Sequence, residues 1–134
     1  MVTASMTTVP PVLVIDDDLD SRTLLEMALS AAGFPVASAR NGAEALVIAR
    51  RDHPSVILLD LMMPIMDGYA FRAAQLREPE LATIPVICVS GRHDAEAAAE
   101  QLKTVACISK PFALDKIVES VGSVIGRQPS PGIL

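Results

Sequence analysis

The chain has 134 residues and a mass of 14.2 kDa, the size of one domain. Hydrophobic residues at 51% against charged residues at 20% exclude an intrinsically disordered chain. A net charge of −5, with no basic cluster beyond Arg50-Arg51, sets aside a direct binder of nucleic acid.

Further exclusions come from particular segments. The longest uncharged interior stretch, Met27 to Ala39, contains Gly33 and Pro35 and is shorter than the roughly 20 apolar residues of a spanning helix. The first basic residue is Arg22, behind four acids, so the N-terminus lacks the basic region of a secretory signal. A cytoplasmic protein without a membrane partner is expected. Cys88 and Cys107 lie in apolar runs without ligand-like spacing, which predicts buried free thiols rather than a disulfide or metal site.

The run Pro11–Ile15 predicts a first strand. Leu24, Leu25, Ala28, Leu29, Ala31 and Ala32 then recur at helical spacing, with Asp18 or Asp20 as cap and Gly33 as terminator. Phe34–Ala39 is a second run, and Pro35 suits an edge strand. Asn41 with Glu44 three positions on predicts a capping box opening a helix toward Arg51. The third run, Val56–Leu59, precedes a helix from Gly68 to Arg77. The fourth run, Val86–Val89, is introduced by Pro85 and followed by an alanine-rich fourth helix from Asp94 to Lys103. The fifth run, Val105–Ile108, leads to the stripe Leu114, Ile117, Val118, Val121 and Ile125, a fifth, amphipathic helix. Runs that are apolar on both faces suit strands covered on both sides by helices. Five strands alternating with five helices predict an α/β fold with right-handed crossovers. One domain is expected over residues 10–126, with 1–9 and 127–134 as flexible tails.

Ligands of open α/β sheets bind at the carboxyl ends of the strands. Those ends carry Asp16-Asp17-Asp18, Ala39-Arg40, Asp60, Ser90-Gly91 and Lys110-Pro111. Each is ordinary alone: acids cap helices, and Asp, Ser-Gly and Lys-Pro begin turns. Together they would bring like charges into one cleft, at a cost that a divalent cation relieves. Carboxylates with open positions suit Mg²⁺. An ion, a lysine and a hydroxyl make a phosphate-binding arrangement, in which Asp60, on a central strand, is the candidate nucleophile for an aspartyl phosphate.

The motifs Val12–Asp18, Ile57–Pro64 with Met66-Asp67-Gly68, Pro85-Val86-Ile87 to Ser90, and Ser109-Lys110-Pro111-Phe112 resemble the receiver domain of bacterial two-component response regulators, over roughly residues 10 to 126. The resemblance implies a flavodoxin-like doubly wound parallel sheet of order 2-1-3-4-5. It implies Asp60 as phosphoacceptor, with Mg²⁺ held by Asp16, Asp17, Asp60 and the Met62 backbone carbonyl. Ser90 would hydrogen-bond the phosphoryl group and Lys110 would pair with its oxygen. A cis Lys110-Pro111 bond, a loop shaped by Pro64 and Gly68, and phosphate access past Gly91 are implied as well. The donor would be a sensor histidine kinase or a histidine phosphotransfer protein. The output would be a shifted face of the fourth helix, fifth strand and fifth helix that regulates a partner protein, or a phosphorylation-dependent dimer. Such a stand-alone module is not an enzyme beyond self-phosphorylation and slow autodephosphorylation.

The sequence also departs from that family. Cys107 stands where Tyr or Phe is usual, so switching is expected through repacking of the fourth helix rather than an aromatic flip. Lys103-Thr104-Val105-Ala106 replaces a common Gly-Ala segment, and the Ser90-to-Lys110 interval is slightly short. Two rival readings are a degenerate receiver acting as a phosphorylation-independent binding module, and a Mg²⁺-dependent aspartate-nucleophile phosphohydrolase. The second is disfavoured by Met62 where such hydrolases carry a general acid. His53 and His93 read as solvated loop residues and Tyr69 as a surface or packing residue.

Overall fold

A computed structural model of the chain describes residues 9–63, 65–91 and 95–126. The tails beyond residues 9 and 126, together with Pro64 and His93, lie outside the described residues. In chain order the elements are β1 (Val12–Ile15), α1 (Leu19–Ala31), β2 (Val36–Ala39), α2 (Gly42–Asp52), β3 (Val56–Asp60), α3 (Gly68–Leu76), α4 (Pro79–Ala82), β4 (Val86–Ser90), α5 (Ala95–Leu102), β5 (Ala106–Ser109) and α6 (Leu114–Gly126). All five strands are parallel, in the order β2-β1-β3-β4-β5. Five strands alternating with helices are as expected, but there are six helices among the described residues rather than five. The extra one, α4, is a single turn begun by Pro79, whose fixed φ and missing N–H suit a first helical position. The fourth and fifth helices of the sequence reading are therefore α5 and α6.

The central strands β1, β3 and β4 are buried along their whole length, whereas the edge strands β2 and β5 are only partly so. Strand side chains alternate between two apolar layers. Leu13, Ile15, Ile57 and Leu59 belong with Ala45, Ala49, Phe71, Ala98 and Leu102 of α2, α3 and α5. Val12, Val14, Val56 and Leu58 belong with Leu25, Leu29, Ile117 and Val121 of α1 and α6. Each fully buried aliphatic side chain of this kind contributes about 1.5–3 kcal/mol relative to exposure.

Local chemistry sets the helix ends. Asp18 caps α1 by accepting from Ser21 N–H at 2.9 Å, and Gly33 at φ +97° follows its C-cap. Asn41 caps α2 by accepting from Glu44 N–H at 2.9 Å. The reciprocal arm of the expected box reaches one residue further, because the Glu44 carboxylate accepts from Arg40 N–H at 2.8 Å. Asp67 caps α3, accepting from Ala70 N–H at 2.9 Å. Lys110-Pro111 is cis, as the resemblance implied.

Two features were not expected. The register of β4 against β5 sets Cys88 opposite Cys107, with Cα atoms 4.4 Å apart, and the two are joined as a disulfide. This corrects the reading of two free thiols: the β4–α5–β5 crossover brings together residues 19 apart, a proximity that spacing alone does not reveal. The other feature is a buried polar clamp. Arg72, 6% exposed, donates to the carbonyls of Leu102 at 3.0 Å and Lys103 at 2.8 Å and to Gln75 Oε1 at 2.7 Å. Gln75 in turn donates to the carbonyls of Leu81 and Ile84 at 2.9 and 3.1 Å. The Leu102 carbonyl, at the end of α5, thereby gains a partner that helical geometry denies it.

Glycine opens the space beside the strand tips. A Cβ on Gly68 would lie 2.7 Å from Leu61 Cα and 2.8 Å from the Asp60 carbonyl oxygen, so the start of α3 abuts the end of β3. A Cβ on Gly91 would meet nothing within 4 Å. Gly68→Ala is expected to cost about 1–3 kcal/mol through overpacking against backbone, and Gly91→Ala less than about 0.5 kcal/mol. Urea unfolding of the two variants beside the parent checks this pair, and equal costs would overturn it.

Candidate functional site

β1, β3, β4 and β5 are consecutive neighbours in the sheet, so their carboxyl ends open onto one edge. Asp60 and Ser90 are the last residues of β3 and β4, Asp16 and Asp17 follow β1, and Lys110 follows β5. The strands thus run one residue further at β3 and β4 than the apolar runs suggested. Backbone hydrogen bonds continue past the strand ends: Asp16 N–H donates to the Ala39 carbonyl at 3.1 Å and Lys110 N–H to the Ser90 carbonyl at 2.8 Å.

Asp16, Asp17 and Asp60 each offer a carboxylate oxygen, and the three oxygens lie within 4.8 Å of one another. Asp16 and Asp60 are 4% and 5% exposed, whereas Asp17 faces solvent. Lys110 Nζ sits 3.6 Å from Asp60 Oδ2. The other Asp60 oxygen, Oδ1, accepts from Met62 N–H at 3.1 Å. Asp16 Oδ1 accepts from Asp18 N–H at 2.9 Å, and the Arg22 guanidinium holds the Asp16 carbonyl at 2.8 Å. Burial raises the Asp16 carboxyl to about 6; the Asp18 N–H opposes that rise and the neighbouring Asp60 charge adds to it. Ser90 is buried at the end of its strand.

Every strand-tip residue singled out from the sequence lies on this edge. The donor set is all oxygen, anionic, and partly open through Asp17, which fits a hard divalent cation that retains waters rather than a soft metal. Tyr69 is half-buried against the core and His53 is exposed at the left-handed C-cap of α2. Sequence reasoning missed three supports. Arg22 looks like a solvated helix residue until α1 is placed over the end of β1. Gly42 reads as a helix start, yet a Cβ there would lie 2.6 Å from the Met66 carbonyl oxygen, so the loop after Asp60 closes against it. Met66 itself holds φ 47°, a left-handed conformation for which composition gives no signal.

The family described as "Response regulator receiver domain" matches residues 12–122. The chain is 37% identical over 118 residues to the probable transcriptional regulator ycf27 of Porphyridium aerugineum, covering 87% of this chain and 48% of that protein. It is 38% identical over 125 residues to the transcriptional regulatory protein PrrA of Mycobacterium tuberculosis, covering 92% of this chain and 53% of that protein. The chain therefore spans about half the length of these two relatives. The solved structure of the chemotaxis protein CheY4 of Vibrio cholerae superposes with a TM-score of 0.80 at 25% identity, covering 87% of this chain and 99% of that one. The chain belongs to the response regulator receiver domain family, the phosphoacceptor signalling domains of two-component systems.

Proposed function

We propose that residues 10–126 form a receiver unit in which Asp60 accepts a phosphoryl group from the phosphohistidine of a sensor kinase or phosphotransfer protein. The observation that carries this reading is the position of the Asp60 carboxylate, between the acidic pair at the end of β1 and the ammonium of Lys110. An Asp60 oxygen attacks phosphorus, the P–N bond breaks, and its electron pair returns to the imidazole of the donor. Asp16, Asp17, Asp60 and the Met62 carbonyl would hold Mg²⁺, which when bound would supply positive charge to the site. Lys110 pairs with one of those oxygens, the Ser90 hydroxyl donates to another, and Gly91 leaves the approach uncrowded.

The product carries nearly two negative charges in place of one. Ser90 and Lys110, on β4 and just past β5, move to meet them, and the face of α5, β5 and α6 follows. This is a shift between two populated arrangements that regulates a partner protein in the cytoplasm, not turnover of a substrate. Met62 N–H already occupies Asp60 Oδ1, and the Met62 side chain, 54% exposed, has no proton to give a leaving group. A hydrolase reading therefore lacks its acid, and loss of the phosphoryl group is slow.

Incubation with a small acyl phosphate and Mg²⁺, read by intact mass, is expected to add one phosphoryl group to the parent and none to Asp60→Asn. Rapid, sustained release of inorganic phosphate would instead identify a hydrolase.

The acidic pair also leaves a signature in stability. The Asp16 carboxyl rises from 3.8 to about 6 on folding, so between those values the folded chain holds a proton that the unfolded chain has lost. Stability from this group is present below about pH 4 and is lost as pH rises toward 6. Asp16→Asn is therefore expected to stabilise the metal-free protein by roughly 1–3 kcal/mol at pH 7.5, with the gain gone at pH 4. Added Mg²⁺ should raise the urea midpoint of the parent far more than that of the variant. A variant less stable than the parent at pH 7.5 would contradict the charge argument.

A further inference from the structure

Cys88 and Cys107 take no part in the chemistry proposed for Asp60, yet they sit on the two strands that lead to Ser90 and Lys110. On β4, Cys88 is two residues before Ser90; on β5, Cys107 is two residues before Ser109 and opposite Cys88 in the ladder. The bond between them therefore ties the two strands whose ends carry Ser90 and Lys110. It also closes a loop with a sequence separation of 19 that encloses α5. The two sulfurs differ in access. Cys88 is fully buried on an interior strand, whereas Cys107 is half-buried on β5, which is an edge of the sheet. Thr104 Oγ1 lies 3.5 Å from Cys88 Sγ, a hydrogen-bond partner for the inner sulfur. Where thiols are kept reduced, protein disulfides are mostly transient and redox-sensing.

We propose that Cys88 and Cys107 form a reversible oxidation site, closed by a low-molecular-weight disulfide and opened by excess thiol, that governs how freely the β4–α5–β5 unit moves. The Cys107 thiolate attacks the small disulfide and expels one thiolate, giving a mixed disulfide. The Cys88 thiolate then attacks the Cys107 sulfur and expels the second. Two protein thiols are oxidised, the small disulfide is reduced to two thiols, and the two protons pass to the departing thiolates. Two consequences follow from the loop that closes. Cross-linking removes conformations from the unfolded chain, so the oxidised form melts higher, by roughly 10 °C. It also fixes the spacing of β4 and β5 just below the phosphoryl site, so α5 responds less to phosphorylation.

Equilibrating the full chain in glutathione buffers of graded thiol-to-disulfide ratio, then acid quenching and alkylating in denaturant, tests the site itself. The expected result is a single two-electron transition from two alkylated cysteines to none, reversed by excess thiol, with the rise in melting temperature following it. A Cys107→Ser chain should show no such transition. Two alkylated cysteines at every ratio, or a bond that excess thiol never opens in the folded chain, would overturn the proposal. Its second arm rests on Asp60 as acceptor: hydrogen exchange of α5 on acyl-phosphate treatment should change several-fold less in the oxidised than in the reduced protein. Equal changes in both forms would refute the coupling. Absence of phosphoryl uptake in both forms would refute the acceptor reading and leave the thiol titration to decide the oxidation site.

Discussion

Two carboxylates, Asp16 and Asp60, are buried side by side at the ends of adjacent strands, with a third, Asp17, at the rim. Much of the structure's behaviour depends on this crowding. Burial disfavours the ionised form of Asp16, and the neighbouring Asp60 charge adds to the cost. Backbone N–H groups from Asp18 and Met62 and the ammonium of Lys110 offset part of it. The remainder is held as a standing deficit of positive charge. A site built this way favours whatever brings cationic charge to it, and its balance changes when a phosphoryl group arrives. In the reaction proposed for Asp60, the crowding that makes the acids costly to the resting fold is also what would draw in a cation.

The fold supports that cost with a sheet that cannot easily yield. Three interior strands are covered on both faces, and their alternating side chains lock into separate layers. Register is consequently fixed, since a slip of one residue would exchange the two layers. Around the rigid tips, the loops are fitted by absence of side chains. Gly68 lets α3 begin against the backbone of Asp60 and Leu61, and Gly42 admits Met66. The acids are thus positioned by the sheet and framed by loops that could not close around larger residues.

Much of this was legible in the sequence because both of its signals are local. Apolar runs such as Val56–Leu59 read as strands buried on both faces, and the polar residue ending each run marked the edge that holds the candidate site. Strand order then brought Asp16, Asp60, Ser90 and Lys110 together. What stayed hidden depends on contacts between distant residues. Arg72 and Gln75 look like one turn of a solvated helix, and only the placement of α3 against the end of α5 turns them into a buried clamp. The Cys88–Cys107 bond depends on the β4–β5 register, which neither apolar run specifies. The single turn α4 was overlooked because four residues are too few to establish a periodicity.

The Arg72 clamp has a mechanical consequence. By gripping the carbonyls of Leu102 and Lys103, it pins α5 at its C-terminal end, while the helix begins at Ala95, on the side where Ser90 and Gly91 leave β4. A rod fastened at one end moves as a lever. Over eight residues, about 12 Å of helix, any tilt grows from nothing at Lys103 to its greatest amplitude near Ala95. A sub-ångström tug at the strand tip would therefore emerge as a swing of the near end of α5 about a fixed pivot, with the distant end of the helix left in place.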